Sequence, residues 1–110
     1  MGSEMCIRDR AFRALSEDEK RHARDLAAAI YLITGKAYCP RVCVEQPDTC
    51  DLCALLRSLY HAEACAGYNY ARAGEETLDL CLSKLFAAMS EDEYRHAELL
   101  MKLLGRKMNV

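Results

Sequence analysis

Two stretches of the chain repeat one arrangement of metal-ligating side chains. Glu19 stands three residues before His22, and Glu93 three before His96. On a helix, residues three apart share a face about one turn from each other, so each Glu-x-x-His sets a carboxylate beside an imidazole. Glu63 supplies a further carboxylate between the two pairs. Two Glu-x-x-His helices, with a Glu from each of two others, build a two-ion carboxylate site inside a four-helix bundle. Hard carboxylate oxygens with borderline imidazole nitrogens suit iron or manganese and leave zinc open. The carboxylates of Glu19, Glu63 and Glu93 against two divalent ions leave a charge of +1, which a fourth Glu would bring to zero. Without a metal, carboxylates clustered in this way repel one another and some take up protons.

These residues interrupt apolar stripes of helical period. Phe12, Leu15, Leu26, Ala29 and Ile33 lie on one stripe that passes through Glu19 and His22. Leu52, Leu56, Leu59, Ala66 and Tyr70 lie on a second, through Glu63. Leu82, Phe86, Met89, Leu100 and Leu103 lie on a third, through Glu93 and His96. Apolar positions at alternating steps of three and four draw one face of a helix, so the chain is read as all-α with three long helices. Acids rarely occupy such a stripe without a charge to meet them, and five polar breaks call for a common cause. Gly35 and Gly105 are the expected stops of the first and third helices. The segment from Gly35 to Thr49, with Pro40 and Pro47, exceeds a tight helix-helix turn and suits a long crossover along a bundle.

The first and third helices are copies. A shift of 74 residues lays AFRALSEDEKRHA on LFAAMSEDEYRHA, bringing Ser16 onto Ser90, Glu19 onto Glu93 and His22 onto His96. That period is too long for a solenoid and fits a duplicated helical hairpin, so the expected architecture is three helices of a four-helix bundle. The counterpart of the Glu63 helix would lie before residue 1. A rival explanation treats each SEDE as a capping box, with Ser16 and Ser90 starting two short helices. It accounts for the glutamates and the repeat. It accounts neither for the histidines nor for a stripe that crosses both serines in phase. For Glu63 and Glu93 to meet at one height, the turn between their helices must lie near Thr77–Asp79. A turn at Gly74 would offset them by about 10 Å at ~1.5 Å rise per residue.

Composition sets the remaining bounds. The chain has 110 residues, is 52% hydrophobic and 29% charged, and carries a net charge of -2. That is one small domain with enough apolar material for a core. The charge lacks the basic excess of a nucleic-acid binder. The longest apolar run, Leu26 to Ile33, is eight residues, against about 20 for a membrane span. Residues 1–10, MGSEMCIRDR, read as foreign to the rest: a Met-Gly-Ser start typical of a cloning scar, then a string like a translated sequencing adapter. The helical domain is accordingly read as 11–110. Seven cysteines without a secretion signal indicate reduced thiols in a cytoplasmic protein. Cys39, Cys43, Cys50 and Cys53 cluster, but their spacing matches no common zinc motif, and free thiols in a loop are the plainer reading.

With Glu19, His22, Glu63, Glu93 and His96 placed, the chain resembles the ferritin-like superfamily from about Phe12 to Leu104, and within it the rubrerythrin-type di-iron proteins. The resemblance implies a ferritin-like bundle holding two iron ions that reduce peroxide or O2 with an external electron donor. It implies Glu19 and Glu93 as bridging ligands, with His22 on one iron and Glu63 and His96 on the other. The sixth usual ligand, a Glu from the first helix of the family, has no counterpart here, and Ala66 stands where some rubrerythrins have a further acid. A second copy of the chain or a partner helix is expected to complete the bundle. Asp18 and Asp92, four residues before the histidines, could orient the imidazoles or face solvent. Tyr60 and Tyr70 share the Glu63 face and could hydrogen-bond a ligand or pack in the core. His61 lies off the stripe and is read as a surface residue, and Arg106 and Lys107 as a basic helix end. The alternatives are a non-enzymatic iron or zinc store, and a helical interaction module without metal.

Overall fold

The computed structural model describes residues 3–37 and 51–107. Among them are three α-helices and no strand: α1 (Ser3–Thr34), α2 (Leu52–Glu76) and α3 (Leu80–Lys107). No helix among the described residues is long and apolar enough to cross a membrane. The chain divides into two compact units, Met1–Gln46 and Pro47–Val110. Most of the expected crossover, and with it Cys39, Cys43 and Cys50, lies outside the described residues.

In the first unit, α1 runs unbroken from Ser3 through Ala11, so no helix boundary falls between Arg10 and Ala11. It stops where the sequence supplies a residue that tolerates a left-handed backbone. Gly35 has φ +71°, and its N–H donates to the Tyr31 carbonyl at 2.8 Å, closing the helix with an αL turn. Ala11, Leu15 and His22 are buried. The stripe does not stay buried to its end, however: Ile33 is 64% exposed, beside exposed Tyr31 and Leu32. Three consecutive residues fan over about 200° of a helix at ~100° each, so no single face can cover them all.

The second unit is an antiparallel hairpin of α2 and α3. Asp51 caps α2 by accepting from the Ala54 N–H at 3.0 Å, and Asp79 caps α3 by accepting from the Leu82 N–H at 2.9 Å. Each carboxylate satisfies an amide that the first helical turn leaves without an intrahelical acceptor. The turn is Thr77–Leu78–Asp79, where the ligand-height argument puts it, and Gly74 lies inside α2. Gly105 does not end α3, which continues to Lys107. Gly35 is the only described glycine with a positive φ, and a helical glycine without that reversal does not stop a helix.

The hairpin uses one device twice, near its turn and two helical turns further along. Ser83 Oγ donates to the Gly74 carbonyl at 2.8 Å, and Ser90 Oγ to the Gly67 carbonyl at 2.7 Å. The serines are seven residues apart on α3 and the glycines seven apart on α2, which is the recurrence of one face of a helix every two turns. The glycines allow close approach. A Cβ on Gly67 would lie 3.0 Å from the Tyr94 ring, and one on Gly74 would lie 3.2 Å from the Ser83 carbonyl oxygen. Leu56, Met89 and Leu100 are fully buried, and Tyr70 stacks on Phe86 at 6.2 Å between ring centres.

Ser16 lies in the interior of α1 and Ser90 in the interior of α3. Neither begins a helix, so the capping-box explanation of the two SEDE segments is removed.

Candidate metal centre

The hairpin register brings Glu63 of α2 level with Glu93 and His96 of α3. Glu93 and His96 are 2% and 3% exposed. The Glu63 side chain is 14% exposed. His96 Nδ1 is 3.5 Å from a carboxylate oxygen of Glu63 and 3.5 Å from one of Glu93. One donor atom from each of the three residues lies within 4.8 Å of the others. Charge-assisted N–H···O contacts usually close to about 2.7–2.9 Å, so these three groups converge without collapsing onto one another.

That arrangement fits a divalent cation. Donors bonded at about 2.0–2.2 Å to one ion stand roughly 3 to 4.4 Å from one another, and the His96 separations fall in that range. A cation of charge +2 neutralises the two carboxylates that burial forces together, and imidazole is a common third ligand. Met89, Ala97 and Leu100, within four residues of Glu93 or His96 on α3, are also buried.

In the first unit, α1 places Glu19 and His22 one turn apart, as the repeat requires. His22 is 2% exposed, and its Nδ1 lies 4.0 Å from Glu19 Oε1. Glu19 is more open, with 45% of its side chain exposed.

The flanking residues resolve into separate tasks. Asp18 pairs with Arg21 at 3.1 Å and Asp92 with Arg95 at 3.0 Å, so the repeat extends to its ion pairs. Their carboxylates are largely covered, at 19% and 17% side-chain exposure, which sets them apart from ordinary solvent-facing acids. Tyr70 packs on Phe86, and Tyr60 sets its ring edge-on to that of the exposed His61. Cys53 lies half-buried in the first turn of α2, and Cys6, Cys65 and Cys81 are exposed free thiols. Sequence reasoning missed Gly67, Gly74, Ser83 and Ser90 as register-setting residues. Their signal was present in the matching seven-residue spacing of two glycines on one helix and two serines on the next.

No protein-family model, curated protein or solved structure matches the chain.

Proposed function

We propose that the protein is a metal-binding helical protein of the rubrerythrin, ferritin-like kind, taking two iron ions, with manganese or zinc as alternatives. Supporting this reading above all is the convergence of half-buried Glu63 with buried Glu93 and His96 at one level of the α2–α3 hairpin. A bound cation would offset the cost of bringing two carboxylates together in a largely apolar interior. In the proposal, Glu63 and His96 serve one ion, His22 serves the other, and Glu93 and Glu19 are the bridging carboxylates. The sixth ligand that the resemblance calls for is assigned to a further helix, from a second copy or a separate segment of polypeptide. Bound iron would supply the electrons for reducing peroxide or O2, and an external donor would restore them. The chain's own part is to hold the ions, exclude bulk water and fix ligand geometry.

The deciding experiment is anaerobic loading with Fe(II), removal of unbound metal and elemental analysis. Bound iron that Glu93→Ala abolishes is the expected result. An unmetallated wild-type protein after this loading overturns the proposal. Peroxide turnover with a supplied reductant then separates an enzyme from a store. Light scattering that shows only monomer at high protein concentration removes the second copy as the source of the sixth ligand.

A further inference from the structure

We infer that Ser90 is a positioning residue for the metal centre, acting through the Gly67 carbonyl to hold Glu63 at the height of Glu93 and His96. The inference rests on the metal-binding reading above. Ser90 precedes Glu93 by three residues and Gly67 comes four after Glu63, so their bond lies about one turn, ~5 Å, from Glu93 on one helix and Glu63 on the other. The bond is short, at 2.7 Å, and buried, with Ser90 6% exposed. It tethers a side chain of one ligand-bearing helix directly to the backbone of the other. A slide of one helix along the other, by even a fraction of a turn, would break it and separate the donors.

The neighbouring contact strengthens this. Tyr94, next to Glu93, lays its ring where a Gly67 Cβ would stand, at 3.0 Å. Gly67 therefore has two constraints at once: no side chain toward Tyr94, and a carbonyl free of steric cover for the Ser90 hydroxyl. The carbonyl sits inside α2, so it serves the helix ladder and the cross-helix bond together, as a carbonyl with two lone pairs can.

The hairpin contains its own control. Ser83 makes the same kind of bond, to the Gly74 carbonyl at 2.8 Å, but lies ten residues before Glu93, about 15 Å along the helix. Loss of either hydroxyl removes one comparable bond from the same interface. Only loss of the Ser90 hydroxyl releases the interface beside the ligands.

The test is titration of the full chain with Co(II) alone, reading affinity and the visible absorption bands that report ligand geometry, for wild type, Ser90→Ala and Ser83→Ala. For Ser90→Ala, a drop in affinity of about tenfold or more, the range for loss of a group supporting metal ligands, together with altered bands is expected. Ser83→Ala is expected to retain both, although its melting temperature falls. Equal effects of the two variants, or none from Ser90→Ala while wild type binds, overturn the inference and leave the metal reading standing. A wild-type protein that binds no Co(II) overturns both. Should Ser90→Ala fail to fold, Ser90→Cys against Ser83→Cys, each replacing the hydroxyl by a weaker donor of similar shape, decides by the same two readouts, with only the former expected to disturb the Co(II) bands.

Discussion

At the residue scale the problem is why Glu63, Glu93 and His96 share an interior that apolar side chains would fill at lower cost. Each carboxylate there gives up hydration, and the two repel one another because they have the same sign. A ligand that binds only the folded chain stabilises it by mass action, by about 2.7 kcal/mol at a hundredfold excess over Kd. Wild type is therefore expected to gain several degrees of melting temperature with Co(II) in such excess, and Glu93→Gln to gain none, as differential scanning calorimetry would show. Without metal, Glu93→Gln should be at least as stable as wild type, since it keeps the shape and removes one of two facing charges. The Glu-x-x-His spacing made the residue types readable from sequence alone. Which atoms meet across the hairpin was not readable, because the 3.5 Å contact of His96 with Glu63 depends on a neighbouring helix.

At the element scale the glycines separate local from tertiary effects. Gly74→Ala should cost about 1–3 kcal/mol by overpacking, since its Cβ would stand 3.2 Å from the Ser83 carbonyl oxygen and 3.4 Å from Phe86 Cβ. Gly105→Ala should stabilise by about 0.5–1 kcal/mol through helix propensity, because its Cβ would meet nothing within 4 Å. Gly35→Ala should destabilise by about 1 kcal/mol, because it forces a β-carbon into a left-handed backbone. Chemical denaturation of the three variants checks all of these. The same contrast marks the reach of sequence. The Thr77–Asp79 turn could be placed from the requirement that Glu63 and Glu93 stand at one height, and Gly35 because it ended an apolar stripe. Gly105 does not act as the expected stop because a glycine ends a helix only where the backbone reverses its hand, and α3 continues to Lys107. Ile33 is exposed against expectation because periodicity identifies a face and does not supply the element that covers it.

At the scale of the whole molecule, the two units carry halves of one repeated pattern. Glu19 and His22 stand on α1, and Glu93 and His96 stand on α3, each pair beside an Asp–Arg ion pair three residues apart. If the halves serve two ions, their losses should be distinguishable by stoichiometry. Glu19→Ala combined with His22→Ala should take bound iron from two per chain toward one, while His96→Ala combined with Glu63→Ala should spare the ion that His22 serves. Elemental analysis against protein concentration reads both. The ion pairs themselves contribute little to stability, since Arg21 and Arg95 are half-exposed or more and such pairs are worth about 0–1 kcal/mol.

The serine-to-glycine bonds also bear on how this chain tolerates changes of length. A hairpin aligned by its connection shifts whenever the connection gains or loses residues. Here the alignment is set by Ser83 on Gly74 and Ser90 on Gly67, and Leu78 in the turn is fully exposed. Two glycines inserted after Leu78 should thus bulge outward and leave the Co(II) absorption bands of the distant centre where they were. The connection can therefore lengthen while the helices keep their alignment.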